Sequence, residues 1–208
     1  MLFRSMEKLC NIKKFFEHRR SIYNLTPHST LKDSQLAELL HEVVRYVPSA
    51  FDSRSTRLVL LTGKAHHRLW GMVKGSLREI VPPEVFVRSE QKIDTSFASG
   101  YGTILFFEDW AVVSDMQAHF PLYRDNFPTW AEHTSAMHQY AVWTALANVG
   151  MGASLQHYNP LIDNHVREAW HLPHSWRLKA QMPFGIAASP APEKSFDGAE
   201  EQLRIFTE

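Results

Sequence analysis

One helix-forming run in the second half of the chain restricts the fold more than any other feature. Residues 129–148 contain no proline or glycine, begin at Thr129 and Glu132 with the spacing of a capping box, and end before Gly150. Such a helix would be ~30 Å long. Its apolar and small residues lie all round the helix axis: Ala131, Ala136, Met137, Tyr140, Ala141, Val142, Trp143, Ala145, Leu146 and Ala147. A helix that is apolar on every side is buried on every side, so we expect a central helix packed partly against a second copy of the chain. A large monomeric core is the alternative.

Size and composition exclude several classes of protein. The chain has 208 residues, which suits one domain over residues 1–208, or a subunit whose core a partner completes. Lys and Arg together number 22, as do Asp and Glu, which argues against a general nucleic-acid binder. A single cysteine, Cys10, allows no internal disulfide and fits a reducing cytoplasm. The sequence shows neither a secretory signal nor an apolar run of the ~18 residues that a membrane span needs.

The remaining hydrophobic patterns alternate between helices and strands. Leu36, Leu39, Leu40, Val43, Val44 and Val47 form one helical stripe, for which Asp33 is a plausible N-cap. The other predicted helices are 1–18, 64–80 and 162–170, and residues 115–125 are a helix or a connector. The predicted strands are a buried strand at 57–62, then 100–107, a short one within 150–160, and 176–185 with one face buried. His66 and His67 are expected at the surface, and 203–206 could form a strand that pairs with a neighbour. This order predicts an α+β fold, or a three-layer α/β/α arrangement.

Two polar stretches are candidate binding segments. Arg19, Arg20 and Ser21 follow the first helix and combine two forked donors with a hydroxyl, which suits an anion; a solvated cationic helix end is the alternative. Residues 48–55 join the Leu/Val helix to the 57–62 strand through small hydroxyl residues, Phe51, Asp52 and Arg54. A planar ligand could lie against the backbone of this junction, although an ordinary loop explains the same residues.

Taken together, several segments resemble the nitroreductase family of flavoproteins, in particular its fatty-acid-repression-mutant branch, found in yeasts and bacteria. Each segment alone is weakly specific, but their order and spacing from about Phe16 to Phe206 are specific as a set. They are Arg19-Arg20-Ser21-Ile22-Tyr23, Pro48-Ser49-Ala50-Phe51, Gly100-Tyr101-Gly102-Thr103, Phe106-Phe107-Glu108-Asp109, Trp130 with Ser135-Ala136-Met137, Gly150-Met151-Gly152, Ser154-Leu155-Gln156-His157-Tyr158-Asn159 and Gln181-Met182-Pro183-Phe184-Gly185.

The resemblance implies a three-layer α/β/α sandwich that forms a homodimer and holds FMN in the dimer interface. The FMN phosphate would be bound by Arg19 and Ser21, with Arg20 and Tyr23 adjacent, and by Lys194 from near the C-terminus. The flavin ring and ribityl chain would lie along Ser49, Ala50, Phe51, Asp52 and Arg54. The segment Gln156, His157 and Tyr158 resembles the strand end whose backbone faces flavin N5.

Two residues depart from the pattern of this branch, which usually has Asn and Gln where this chain has Asp52 and Arg54. An ionised Asp only accepts hydrogen bonds, so Asp52 cannot donate to a flavin carbonyl. We hypothesise that Arg54 lies near flavin N1 and O2 and stabilises the reduced, anionic flavin while Asp52 balances its charge. The alternative is an ion pair of Asp52 with Arg54 or Arg57 on the loop surface.

The implied activity is that of an FMN-dependent oxidoreductase, with NAD(P)H as a transient reductant and a nitroaromatic, quinone or similar acceptor. No GxGxxG follows a strand, so the nicotinamide would not be resident, and no catalytic side chain is required. The acceptor pocket could be walled by Phe51, Tyr101, Phe120, Tyr123, Phe127 or Trp130, each of which could equally belong to the core. A flavin-binding regulatory or stress-response protein with little turnover is the second hypothesis. A metal enzyme is the third, but the pairs His133/His138 and His171/His174 lack a carboxylate at a recognisable ligand spacing.

Overall fold

A four-stranded antiparallel sheet lies at the centre of the molecule. The structure is a computed structural model that describes residues 11–195 and 198–207. The strands are β1 (Thr56–Thr62), β2 (Gly102–Asp109), β3 (Gly152–Ala153) and β4 (Trp176–Gly185), and their order across the sheet is β1-β2-β4-β3. The register pairs Thr56 with Glu108 and Gly102 with Phe184, so the start of β1 lies beside the end of β2.

Helices cover both faces of this sheet. They are α1 (residues 11–18), α2 (Asp33–Tyr46), α3 (Gly63–Ile80), α4 (Pro83–Ser96), α5 (Trp110–His119), α6 (Phe127–Asn148) and α7 (Asp163–Ala169). Short 3₁₀ turns occur at Ala50–Asp52, Pro121–Tyr123 and Ala199–Gln202. In the described part of the chain, no helix is long and apolar enough to cross a membrane.

The alternation of side chains along β2 explains the layers. Ile104 and Phe106 join one buried cluster with residues of α2 and α6, whereas Leu105 and Phe107 join a second cluster with residues of α3, α4 and α7. Successive strand residues point to opposite faces, and every residue of β2 is buried. The predicted three-layer α/β/α sandwich is therefore confirmed. The single domain predicted for residues 1–208 stays a prediction, supported by the two clusters sharing one sheet.

Several predicted boundaries were wrong. The predicted order omitted α4, which begins with Pro83 at its first position, where a missing N–H costs nothing. Thr129 caps no helix, because α6 already begins at Phe127. Asp33 is not the N-cap of α2: the helix begins after Lys32, whose backbone N–H donates to Gln35 Oε1 at 3.0 Å.

The exposure of three other elements also differs from the prediction. β1 was predicted to be buried but is largely half-buried, because it is an edge strand of the sheet. β4 was predicted to bury one face, yet every residue from Ala180 onward is buried, because two strands flank it and helices cover both faces. His66 was expected at the surface but is fully buried, and its ring bonds Thr103 Oγ1 at 2.9 Å and the Ala98 carbonyl at 3.2 Å.

The central helix α6 is only partly covered within one chain. Its buried residues include Ala131, Val142 and Leu146, whereas Met137 and Tyr140 are more than two-fifths exposed. The exposed residues contradict the alternative of a large monomeric core that buries this helix on every side, and burial by a second copy stays a prediction. The 203–206 run pairs with no strand in the described part of the chain. Residues 1–10 of the predicted first helix, Cys10 included, lie outside the described residues.

Candidate functional site

Three of the predicted phosphate-binding residues converge on one cavity of about 230 Å³. Arg19, Arg20 and Lys194 line it together with Phe16 and Glu17; we call it the N-terminal cavity. Arg20 Nη2 donates to the Pro192 carbonyl oxygen at 2.5 Å, which ties the segment after α1 to the chain just before Lys194. Residues that are 175 positions apart in sequence thus surround one space with an excess of positive charge.

The sheet positions this segment. The Ile22 backbone N–H donates to the Ala153 carbonyl oxygen at 2.9 Å, and Trp143 Nε1 donates to the same oxygen at 3.1 Å. The guanidinium carbon of Arg19 lies 4.6 Å from the centre of the Trp143 ring, within the range of a cation–π contact. Arg19 is therefore oriented by an aromatic side chain of α6 that sequence reasoning did not assign to the site.

Ser21 and Tyr23 face a neighbouring space. They line a cavity of about 160 Å³ with Asn24 and Pro192 among others, and Tyr23 is half exposed. The structure therefore brings Arg19, Arg20 and Lys194 together but places Ser21 and Tyr23 in a different cavity.

The 48–55 segment has an unusual backbone. Phe51, Asp52 and Arg54 all have positive φ angles, of 56°, 50° and 51°. Only a few per cent of residues other than glycine adopt this region, and each such residue stores conformational strain. Ser49 Oγ accepts a hydrogen bond from the Arg54 backbone N–H at 2.9 Å and so stabilises the turn. Strain of this kind is frequent in ligand-binding segments.

Asp52 and Arg54 form a bidentate ion pair. Arg54 Nε donates to Asp52 Oδ1 at 2.8 Å and Nη2 donates to Oδ2 at 2.7 Å. Hydrogen bonding from Arg54 lowers the pKa of Asp52, so this carboxylate is ionised at neutral pH. The loop-surface ion pair expected as the alternative is thus present, and a position of Arg54 beside flavin stays a prediction.

Phe51 belongs to an aromatic cluster in which Phe51, Phe120 and Tyr123 are exposed, whereas Phe127 is buried. Its ring centre lies 4.8 Å from Phe120, 5.3 Å from Tyr123, 5.5 Å from Phe127 and 5.7 Å from Trp130, the last with near-parallel planes. Five of the six predicted pocket aromatics therefore meet.

Tyr101 lies apart from this cluster. It precedes the other end of β2, where its hydroxyl donates to Asp33 Oδ1 at 2.7 Å. Within one chain, the length of β2, roughly 25 Å, separates Tyr101 from the end of the strand that adjoins the 48–55 segment. Its place in an acceptor pocket stays a prediction.

A buried carboxylate anchors the end of the 48–55 segment. Glu108 is fully buried and accepts hydrogen bonds from Ser55 Oγ and Thr56 Oγ1, each at 2.5 Å. Burial raises the pKa of Glu108, and the two hydroxyls partly offset this effect. In the sequence, Glu108 is only one member of the Phe106-Phe107-Glu108-Asp109 motif, because no local pattern distinguishes it from an exposed acid.

A second cavity, of about 290 Å³, lies beside the same segment. Its polar lining residues are Arg45, Ser49, Arg54, Thr56, Arg57 and His138, and its apolar ones are Val44 and Val47; we call it the arginine cavity. His138 Nδ1 donates to the Thr134 carbonyl oxygen at 2.9 Å, and burial lowers the pKa of His138, so the ring is neutral with Nε2 as its acceptor. The arginine cavity and the N-terminal cavity share no lining residue.

The predicted flavin-facing segment 156–158 is held by Gln181. The Gln156 N–H donates to the Gln181 carbonyl oxygen at 2.8 Å, and the Tyr158 N–H donates to Gln181 Oε1 at 2.7 Å. The Tyr158 side chain packs against Trp70 and Phe97 in the core. The Tyr158 side chain is therefore structural, whereas His157, between the two residues that Gln181 holds, is exposed.

The glycines at the start of β2 allow other parts of the chain to approach closely. A Cβ at Gly102 would lie 2.8 Å from the Leu61 carbonyl oxygen and 2.9 Å from the Phe184 ring. One at Gly100 would lie 2.8 Å from the Phe184 carbonyl oxygen. The close neighbours are thus other parts of this chain. Among the described residues, no group of three or more His, Cys, Asp or Glu could hold a metal ion.

Comparison with known proteins identifies the family. The family model described as "Nitroreductase family" matches residues 16–186. The chain belongs to the nitroreductase family. It is 34% identical over 205 residues to HBN1 of Saccharomyces cerevisiae, covering 97% of this chain and all of HBN1. It is 30% identical over 181 residues to nitroreductase FRM2 of the same yeast, covering 86% of this chain and 89% of FRM2.

Solved nitroreductase structures share the fold. The nitroreductase CinD from Lactococcus lactis, in complex with chloramphenicol, superposes with a TM-score of 0.85 at 42% identity, over 94% of this chain and all of CinD. CinD in complex with 4-nitrophenol gives a TM-score of 0.81 at 44% identity over the same shares of the two chains. A nitroreductase from Desulfitobacterium hafniense with bound FMN, at 13% identity, shares the fold alone, with a TM-score of 0.68 over 93% of this chain and 97% of that one. The chain is therefore an oxidoreductase by family.

Proposed function

We propose that this nitroreductase-family protein is an FMN-dependent oxidoreductase that uses NAD(P)H to reduce nitroaromatic, quinone or similar electron-poor acceptors. The observation that carries the proposal is the convergence of Arg19, Arg20 and Lys194 on the N-terminal cavity. The complex of CinD with 4-nitrophenol supports the acceptor class. The reducing cytoplasm stays the expected compartment.

The N-terminal cavity fits the phosphate of FMN chemically. A phosphate monoester carries a charge near −2 at neutral pH and needs several strong donors. Arg19 and Arg20 offer planar N–H groups and Lys194 an ammonium, against one carboxylate, that of Glu17. The orientation of Arg19 on Trp143 would also lower the entropy lost on binding.

The other candidate residues would contact the flavin from a second copy of the chain. Within one chain, no residue of the 48–55 segment lines the N-terminal cavity. The exposed face of α6 at Met137 and Tyr140 offers apolar surface for a partner. In such a homodimer, Ser49, Ala50, Phe51, Asp52 and Arg54 of one copy would complete the site.

No side chain needs to act as an acid or base in this proposal. When bound, FMN would supply the redox chemistry by taking up a hydride from NAD(P)H at N5 and passing it to the acceptor. Gln181 holds the backbone on either side of His157, which leaves that exposed residue positioned to contact the ring edge. The aromatic cluster around Phe51 would bind the flat acceptor and exclude water.

A comparison of FMN with riboflavin tests the phosphate site. We expect the purified protein to show the visible spectrum of bound flavin and to bind FMN more tightly than riboflavin, which lacks the phosphate. Arg20→Gln should weaken FMN binding about tenfold while leaving riboflavin binding unchanged, because one charge-assisted contact is lost.

The control variant is Arg78→Gln, which removes an exposed arginine of α3 that pairs with Glu90 of α4 and lines neither cavity. Equal affinities for FMN and riboflavin would contradict the phosphate site. Steady-state NAD(P)H oxidation with 4-nitrophenol then separates an oxidoreductase from a flavin-binding regulatory protein, which would bind FMN without turnover.

A further inference from the structure

The arginine cavity is lined by several donors for an anion and is separate from the N-terminal cavity proposed for the FMN phosphate. Arg45, Arg54 and Arg57 line it together with the Ser49 hydroxyl, and none of its lining residues carries a carboxylate. The Thr56 hydroxyl also lines the cavity but already donates to Glu108. Each arginine has an acidic partner outside the lining: Glu42 at 2.7 Å, Asp52 at 2.7 Å and Asp109 at 3.0 Å. The charges are therefore balanced around the cavity, while the donors face a space of about 290 Å³.

Of the three arginines, Arg54 is the one that can exchange its partner most easily. Its ion pair is the most exposed, with 77% of the Arg54 and 70% of the Asp52 side chain accessible. Exposed ion pairs contribute little free energy, so replacing Asp52 by another carboxylate costs little. The fork to Asp52 uses two of the five N–H groups of a guanidinium, and the others stay available.

The backbone of Arg54 is fixed while its guanidinium is not buried. The Arg54 N–H donates to Ser49 Oγ at 2.9 Å, and the Arg54 carbonyl oxygen accepts from Arg57 Nη1 at 2.7 Å. Arg57 is held in turn by Asp109, whose side chain is only 12% exposed. The backbone of the turn is therefore fixed, while the charged side chain of Arg54 stays exposed. Arg54 follows Phe51 by three residues, and the Phe51 ring is part of the aromatic cluster.

We infer that Arg54 selects acceptors that combine an aromatic ring with a carboxylate or similar anionic group, and that the arginine cavity binds this group. The inference rests on the proposed function and adds a substrate class to it. An aromatic acid satisfies both features of the segment at once, since its ring can contact the Phe51 cluster and its carboxylate can take the place of Asp52 on Arg54. Asp52 then acts as an internal competitor that keeps the affinity for anions moderate.

The test compares two acceptors of equal size, 4-nitrobenzoate and 4-nitrobenzamide, with NADH as the reductant. We expect Arg54→Gln to lower kcat/KM for 4-nitrobenzoate about tenfold more than kcat/KM for 4-nitrobenzamide, mostly through KM. Any effect of Arg54 on the flavin is common to both acceptors and cancels in this ratio. Asp52→Asn should lower KM for 4-nitrobenzoate about threefold, because it removes the competing carboxylate. Arg78→Gln, which loses an exposed ion-paired arginine elsewhere, should change neither acceptor.

A binding measurement separates this inference from the proposed activity. In isothermal titration calorimetry with the FMN-loaded protein, benzoate should bind more tightly than benzamide, and Arg54→Gln should abolish the difference. If neither nitro compound is reduced but benzoate is still preferred, the activity fails and the anion site stands. If Arg54→Gln affects both acceptors equally and benzoate binds no better than benzamide, the inference is overturned.

The 2′-phosphate of NADPH is the other anion that these donors could bind. A tenfold rise in the KM for NADPH in Arg54→Gln, with the ratio between the two nitro compounds unchanged, would assign the cavity to the reductant and overturn the inference. An unchanged KM for NADPH, together with the altered ratio, supports it.

Discussion

The hydrogen bonds to the buried Glu108 carboxylate lead to a quantitative prediction about the 48–55 segment. Thr56→Val removes one of the two hydroxyls that Glu108 accepts from, each at 2.5 Å, and keeps the shape of the side chain. Glu108 is fully buried, so water cannot easily replace the lost donor. We expect the free energy of unfolding to fall, because a desolvated carboxylate retains only the Ser55 hydroxyl.

The expected magnitude follows from the type of bond. A hydrogen bond to a charged group contributes roughly 1.5–3 kcal/mol to stability, so we expect a loss of about 2 kcal/mol. For a chain of 208 residues this corresponds to a melting temperature lower by ~4–8 °C. The raised pKa of Glu108 should rise further, because one bond that favours the charged form is gone.

The assay is urea unfolding followed by tryptophan fluorescence at one fixed protein concentration, over a range of pH. The matched control is Thr62→Val on the same strand, whose hydroxyl donates to the exposed Asp33 carboxylate at 2.9 Å and should contribute less than about 1 kcal/mol. A double-mutant cycle with Glu108→Gln isolates the bond, since Thr56→Val should cost less in that background.

The pH dependence gives an independent check. Because burial raises the pKa of Glu108 in the folded state, its folded form binds a proton more tightly than its unfolded form. Its contribution to stability is therefore full below the unfolded pKa of about 4.5 and is lost as the pH rises through the folded pKa. Glu108→Gln should remove this loss. Equal stability of Thr56→Val and the wild type, or a fully additive cycle, would refute the reasoning.

Two further predictions concern the core. Burial lowers the pKa of His66 from 6.5 to about 4, so the wild type should lose up to roughly 3 kcal/mol of stability as the pH falls through this window. The variant His66→Gln should lose less. Equal profiles of unfolding free energy against pH for the two proteins would contradict the role of His66. Gly185→Ala should destabilise the protein by about 3 kcal/mol, because the new Cβ would lie 2.3 Å from the Thr26 carbonyl oxygen. Gly75→Ala on α3, where a Cβ would have no atom within 4 Å, should stabilise the protein slightly. Thermal melts compare the two variants.

Much of the fold could be predicted because its signals are local. The stripe of α2, the mixed apolar surface of α6 and the alternation in β4 follow from hydrophobic periodicity, and the structure contains all three elements. The omission of α4 shows the limit, since Pro82 and Pro83 closely follow α3 and proline is typical of the end of a helix. Proline also begins helices, and the sequence alone did not separate these two uses.

The candidate site was predicted less completely, because its residues come from distant parts of the chain. The family resemblance named Arg19, Arg20 and Lys194, and the structure brings them to one cavity. It did not indicate that Trp143 orients Arg19, or that Glu108 holds Ser55 and Thr56. These contacts depend on how β2, β3 and α6 pack, which no local pattern records.

The sequence by itself determined the layered α/β class, the family and the residue types available for an anion, because periodicity and motif order are properties of the chain. Only the tertiary structure decided that Ser21 and Tyr23 face a different cavity from Arg19, that the side chain of Tyr158 belongs to the core, and that Arg54 pairs with Asp52. Burial and pairing depend on which residues approach across the fold. Arg54 became a candidate for substrate selection only because its backbone is held by Ser49 and Arg57 while its guanidinium stays exposed.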